Sequence, residues 1–302
     1  MKVLKSTKEI SHDEWLKQRM KGCGGSDAAT IMGVNPWRSP FDLWMEKTGE
    51  FVQDASNEKM YWGTVLEDIV AREFTKRTGK KVRKRNAILQ HPDHGWMIAN
   101  VDRLVVGERA ILECKTTSAF NQWDEVPEYY YAQVQHYLAV TAYHKAYLAV
   151  LVGGQEYRDF EIQRNDAYIT ELIEKESDFW RKVKNGEPPD LDGSESCTQM
   201  VSKLYPEGKD EEIDLPMDAF RIVENYEAAA QEEKDAKERK DAAANQLKDM
   251  LRTNERGRIY SRLVTWKTVT SRRLDTKTLE AEQPEIYERY VKESISRRFT
   301  VK

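Results

Sequence analysis

The hydrophobic and polar positions of this chain fall into two periods. Helical spacing or helix-forming composition, bounded by stop signals, predicts helices over about Ser11 to Met20, Phe41 to Thr48 with Gly49 as the stop, and Thr64 to Phe74. The same reading gives helices over Tyr129 to Ala142, Asp166 to Asn185 and Asp218 to Leu251. Strand-like runs cover Asn86 to Gln90, Trp96 to Asp102 and Ile111 to Thr116, and the pair Ala146 to Val152 and Arg158 to Gln163 around Gly153-Gly154. Between Ala99 and Thr117 the chain reads as a hairpin turning near Gly107-Glu108. Side chains alternate along a strand, so Glu113 and Lys115 face one side while Leu112 and Cys114 face the other.

This order predicts an α/β chain of the α+β kind, with a central mixed β-sheet flanked by helices. Residues 1–195 form the core domain, closed by the helix that ends at Gly186-Glu187-Pro188-Pro189. Residues 196–302 form an extension of different character. It holds one long charged helix without internal Gly or Pro, an alternating run from Arg256 to Val269 that reads as a hairpin, and a basic tail with Arg272, Arg273, Arg297 and Arg298. That tail is either charged solvent-facing surface or a nucleic-acid contact.

Composition narrows the class. Of 302 residues 33% are charged and 10% aromatic, which is a globular rather than a disordered balance. No apolar run reaches the roughly 20 residues that span a bilayer, and the first residues have no signal-peptide core, so a cytoplasmic location is expected. The cysteines, Cys23, Cys114 and Cys197, are too far apart for a CxxC metal motif. His91-x-x-His94 holds Pro92-Asp93 and is followed by Gly95, which reads as a turn. A net charge of −4 does not itself advertise a nucleic-acid binder, but a basic channel can coexist with an acidic exterior.

Candidate chemistry centres on Asp102, Glu113 and Lys115. Two carboxylates at the ends of adjacent strands can hold hard divalent cations through oxygen, and a lysine beside them can orient water or offset charge developing on a phosphoryl group. A surface hairpin carrying an ordinary ion pair has the same short pattern. The loop Lys21 to Ala29 is glycine-rich and enters a helix. It either cradles an anion on backbone amides or simply connects, with Ser26 or Asp27 as the N-cap. Glu67 belongs either to a capping box with Thr64 or beside the carboxylates. The basic run Lys76 to Arg85 is a solvated face or a phosphate-contacting one. Phe120 to Trp123 begins an aromatic-bearing loop. Gln133 and Tyr137 share a helix face, with Tyr137 readable as core or as site.

The stretch Gly24 to Gly49, GGSDAATIMGVNPWRSPFDLWMEKTG, resembles the opening signature of the YqaJ-type viral recombinases. These belong with the lambda-type exonucleases in the PD-(D/E)XK nuclease superfamily, whose pattern Asp102, Glu113-x-Lys115 also resembles. The resemblance, over roughly Trp15 to Phe179, implies a restriction-endonuclease-like core and a 5′-to-3′ exonuclease that acts on linear double-stranded DNA. It implies Mg2+, with Mn2+ as a substitute, bound by Asp102, Glu113 and the backbone carbonyl of Cys114. Glu67 would support the site, Lys115 would act on the nucleophilic water, and Arg19 and Ser26 would take the terminal 5′-phosphate. Gln133 and Gln135 match the Q-x-x-x-Y region of RecB-type nucleases, which makes them catalytic candidates. A homotrimer, a single-strand annealing protein as partner, and a phage or prophage origin in a bacterial host are implied as well. One departure is that Asn100-Val101-Asp102 stands where lambda exonuclease has Ser-Pro-Asp, so Asn100 takes the serine's phosphate contact or the contact is missing. An endonuclease of this fold and a non-catalytic DNA-binding recombination protein are the competing readings.

Overall fold

The computed structural model describes residues 1–8, 10–50, 58–121, 123–293 and 296–301. Gln122, in the aromatic-bearing loop, lies outside them. In chain order the first part holds β1 (Lys2–Ser6), α1 (His12–Arg19), α2 (Gly25–Ile31), α3 (Pro40–Thr48), α4 (Glu58–Thr78), β2 (Val82–Lys84), β3 (Ala87–Gln90) and β4 (Ile98–Ala99). There follow β5 (Arg103–Val105), β6 (Ala110–Thr117), α5 (Glu128–Thr141), β7 (Lys145–Val152), β8 (Glu156–Gln163), α6 (Asp166–Asn185) and α7 (Glu195–Leu204).

Among the described residues the central sheet has the order β2-β5-β6-β7-β8. It is mixed: β6 and β7 run parallel, and the other neighbours run antiparallel. A parallel pair needs a crossover, and α5 supplies it. On one face α5 packs Val134, Tyr137 and Leu138 against Ile111, Leu148 and Val150. On the other, α4 packs Val70, Ala71 and Phe74 against Leu112, Cys114 and Ala149. This is the expected mixed sheet flanked by helices, and it turns the Glu113 and Lys115 side chains of β6 toward α5. A second small sheet, β1-β3-β4, lies in the same part of the chain.

The helix ends follow local chemistry. α3 starts at Ser39, whose hydroxyl accepts from the Asp42 backbone N–H while the Asp42 carboxylate accepts from the Ser39 N–H. Pro40 occupies the first turn, and Gly49 closes the helix at φ 80°, a left-handed conformation natural to glycine.

Two expectations change. The run Trp96 to Asp102 is not one strand: Ile98–Ala99 pairs with β3, and residues 100–102 then cross to the central sheet, leaving Asp102 in a bend just before β5. α4 begins at Glu58 rather than Thr64, because the residues on both sides of Gly63 favour helix enough to carry it through the interior. Thr64 is therefore internal, with its hydroxyl on the Met60 carbonyl, and the capping-box reading of Glu67 falls.

The described chain divides into two compact units, Met1–Leu204 and Tyr205–Lys302. The division expected at 195/196 stands at the start of α7, which buries Cys197 and Met200 against Phe41 and Trp44 of α3 and so goes with the first unit. The second unit holds α8 (Ala219–Leu251), the hairpin β9 (Arg256–Ile259) and β10 (Arg262–Thr265), α9 (Thr276–Glu282) and α10 (Pro284–Tyr290). The long helix and the hairpin are thus present as expected. Among the described residues no helix is long and apolar enough to cross a membrane.

Candidate active site

The bend that ends at Asp102 and the middle of β6 bring two carboxylates together. Asp102 Oδ2 accepts from the Cys114 backbone N–H at 2.9 Å, which ties it to the strand residue next to Glu113. Glu113 is buried, at 3% exposure, in the face covered by α5. Its Oε1 receives the Lys115 ammonium at 2.7 Å and the Gln133 amide at 2.8 Å. Gln133 also donates to the Tyr137 hydroxyl at 2.9 Å, so Tyr137 belongs at once to the core and to this cluster. Glu113 Oε2 is buried and has no hydrogen-bond partner.

Charge is crowded here. Burial, then the neighbouring Glu113 and Glu67 carboxylates, push the Asp102 carboxyl well above the usual range. Burial works against the Lys115 charge, but Glu113 outweighs it, helped by Tyr130 and Asp102, and the lysine stays an ammonium at all ordinary pH. Lys115 also lies 4.9 Å from the Tyr130 ring centroid. It can therefore donate hydrogen bonds or neutralise negative charge, but it has no free lone pair with which to take a proton.

Glu67 reaches this cluster from α4, on the opposite face of the sheet. Arg103, 4% exposed, pairs with both Glu67 and Asp68, and Nη1 donates to the Asp102 carbonyl at 2.7 Å. Arg103 is thus the clamp between α4 and the bend, and sequence reasoning missed it. The available sign was an arginine directly after the first carboxylate, within an otherwise apolar strand.

Arg19 and Ser26 also meet: Arg19 Nη2 donates to Ser26 Oγ at 2.6 Å. Beneath them lies Asp27, which from the sequence is only a possible cap. Neither Ser26 nor Asp27 caps α2; Gly24 does, with Asp27 in the first turn accepting from the Gly24 N–H at 2.9 Å. Asp27 is fully buried and pairs with the equally buried Lys47 at 2.8 Å. Its Oδ1 makes no hydrogen bond but lies 3.9 Å from Arg19 and 3.8 Å from Arg38. Lys47 in turn donates to the Arg19 carbonyl at 3.0 Å. Burial opposes ionisation of Asp27, but Lys47, Arg19 and Arg38 overcome it and hold the carboxyl well below its usual value. Arg38 also pairs with Glu46, so the partly exposed Arg19 and Arg38 guanidiniums flank the buried Asp27 carboxylate with the Ser26 hydroxyl beside Arg19.

Other expected residues lie elsewhere. Gln135 does not join the carboxylates: its amide donates to the Gln163 carbonyl at 2.8 Å and accepts from the Asn165 N–H at 2.9 Å, so both ends are spent pinning α5 to the start of α6. In the basic run, Lys76 and Arg77 pair with Glu73, Lys80 with Glu108 and Lys84 with Asp68. Much of that charge is thus answered within the chain. The His91 to His94 segment is the expected turn, with His91 Nδ1 accepting from the Asp93 and His94 N–H groups. Asn100 lies in the crossing segment before Asp102.

Fold and site together define a mixed-sheet α/β protein with an Asp…Glu-x-Lys centre. The chain matches the YqaJ-like viral recombinase domain over residues 14–144. It is 44% identical over 309 residues to the uncharacterised protein YqaJ of Bacillus subtilis (strain 168), covering 99% of this chain and 97% of that one. The chain therefore belongs to the YqaJ-like viral recombinase family. A protein of African swine fever virus is 24% identical over 168 residues, covering 47% of this chain and 49% of its own. Among solved structures, an alkaline exonuclease from Laribacter hongkongensis is similar at 20% identity and a TM-score of 0.49, covering 64% of this chain and 99% of its own. A phage-related exonuclease from Haemophilus somnus is similar at 12% identity and a TM-score of 0.42, covering 63% and 99%.

Proposed function

We propose that this protein is a metal-dependent deoxyribonuclease that degrades linear double-stranded DNA from the 5′ end, leaving 3′ single strands for recombination by annealing. The observation that carries this reading is the buried Glu113 carboxylate. One oxygen is held by Lys115 and Gln133, the other is unpartnered, and Asp102 stands beside it with its carboxyl pushed up by that crowding. A buried carboxylate oxygen without a donor is costly unless a cation answers it.

These residues suit a hard divalent cation such as Mg2+ or Mn2+. Among the described residues no three His, Cys, Asp or Glu side chains gather to cage a metal, so Asp102 and Glu113 would hold it with the Cys114 carbonyl and water. When bound, such an ion polarises a phosphoryl oxygen and acidifies water. The chain's own contribution is separate. Lys115, fixed as an ammonium, donates to the attacking water or to the phosphoryl oxygen that gains charge. Gln133 holds the Glu113 carboxylate, and Arg103 holds the Asp102 backbone carbonyl and the Glu67 carboxylate. The Arg19 guanidinium and the Ser26 hydroxyl it holds offer a seat for a terminal 5′-phosphate, which would make DNA ends the substrate and set the 5′-to-3′ direction.

Membership of a viral recombinase family supports a place in DNA recombination; that a single-strand annealing protein takes the product and that the working form is a homotrimer are part of the same proposal. The test is digestion of 5′-phosphorylated linear duplex beside covalently closed circular duplex, with Mg2+ or chelator, by wild type and Lys115→Ala. The expected result is loss of linear DNA only, in Mg2+ only, and at least about 100-fold slower with the variant. Cutting of the circle would make the protein an endonuclease, and binding without cutting would make it an accessory DNA-binding protein.

A further inference from the structure

An aromatic row runs from the guanidinium cluster to the lysine of the carboxylate centre. Trp37 stands next to Arg38 in the chain and is 66% exposed. Its ring meets Tyr129 edge-on at 4.9 Å between centroids, Tyr129 lies 4.5 Å from Tyr130, and Lys115 sits 4.9 Å from the Tyr130 ring. A lone exposed aromatic needs no explanation. What distinguishes Trp37 is that this row leads to the reacting centre and that its loop is pinned. The Trp37 N–H donates to Asn35 Oδ1 at 2.9 Å, Asn35 Nδ2 donates to Thr30 Oγ1 at 2.9 Å, and the Val34 and Asn35 N–H groups both donate to the Ala29 carbonyl. An indole held out from an ordered loop has already lost much of the freedom that binding would otherwise cost it.

We propose that Trp37 is a stacking platform for the terminal nucleobase of the 5′-ended strand, holding that nucleotide between the guanidinium cluster and the Asp102–Glu113 centre. Every base has a π-face, so an aromatic platform grips any sequence, as a nuclease that degrades DNA of any sequence requires. The role rests on the nuclease reading above: a strand whose terminal phosphate sits at Arg19 and Ser26 and whose next phosphodiester sits at the carboxylates carries its first base close to both, and Trp37, next to Arg38 in the chain and joined to Lys115 through Tyr129 and Tyr130, offers an exposed ring there.

The test combines protein and substrate changes. Steady-state kinetics are measured for wild type, Trp37→Phe and Trp37→Ala on 5′-phosphorylated duplexes whose first nucleotide carries its base or is abasic, with circular dichroism melts and sedimentation velocity on each protein. With an intact end, Trp37→Ala raises KM roughly 5- to 100-fold and more than it lowers kcat, and Trp37→Phe recovers most of the loss. The abasic end costs wild type a comparable factor and costs Trp37→Ala nothing further, because the two changes remove the same contact. An abasic penalty that persists in Trp37→Ala overturns the proposal, as does a KM within two-fold of wild type. A Trp37→Ala protein whose assembly state shifts while that penalty persists would put Trp37 in a contact between copies of the chain, which also overturns it. Wild type that cuts no linear duplex defeats the nuclease reading itself, which is a different failure from active wild type showing no coupling.

Discussion

At the scale of single residues, the decisive groups are charges that the fold has buried. Asp27 and Lys47 are both sequestered and face each other at 2.8 Å. Taking away one member of such a pair leaves the other charged in a low-dielectric interior, at a cost of about 3 to 5 kcal/mol. Asp27→Asn is expected to lose stability on that order in urea unfolding, with Lys47 stranded and the Arg19 carbonyl less firmly held. The sign with pH follows from the depressed carboxyl. The contribution of Asp27 is complete above the unfolded-state value of about 3.9 and disappears as pH falls below it toward the folded-state value. Wild type should therefore lose stability relative to Asp27→Asn on going from pH 5 down to pH 2. A constant difference across that range would show that folding leaves the Asp27 carboxyl unshifted, and a relative gain by wild type as pH falls would show that Asp27 is protonated in the folded protein.

At the scale of elements, α5 separates two glutamines that sequence places only two residues apart. Gln133 faces the carboxylates, while Gln135 turns to the start of α6. Gln133→Ala should lower kcat with little change in melting. Gln135→Ala should leave cleavage kinetics near wild type but cost about 1 to 3 kcal/mol, because it leaves the part-buried N–H of Asn165 without its acceptor. Equal effects of the two variants on kcat would mean that the helix, rather than the Gln133 contact, matters. The same contrast marks what can be read from a sequence. α3 is legible because its signals are local: Ser39, Pro40, Asp42 and Gly49 each act within a turn of the helix end. The carboxylate and lysine of β6 are legible because strand alternation places Glu113 and Lys115 on one face. The pairs Glu67 with Arg103, Asp27 with Lys47 and Lys115 with Tyr130 are not, since each joins elements whose proximity is settled only when the sheet and helices pack. The early start of α4 was hidden by Gly63, a residue that ordinarily lowers helix preference yet is carried by its neighbours.

At the scale of the whole molecule, the two units differ in how they can be stable. The first buries three apolar clusters drawn from Cys23 to Met200, and every residue assigned to the site, from Arg19 to Gln133, lies within it. In the second, among the described residues, Leu251 alone is buried, and the 33-residue α8 carries most of its side chains in the open. Apolar burial must offset a conformational entropy of roughly 1 to 2 kcal/mol per ordered residue, and one buried leucine cannot do this for a hundred-residue segment. A fragment ending at Leu204 is therefore expected to unfold in a single cooperative transition near that of the full chain. A fragment beginning at Tyr205 should show helical circular dichroism without a cooperative melt, since a solitary helix frays gradually. If the fragment ending at Leu204 is folded and still cuts linear duplex in Mg2+, the chemistry belongs to the first unit alone. If it is folded but inactive, residues 205–302 supply something the reaction needs, and their exposed helix and basic tail become the surface on which to seek it.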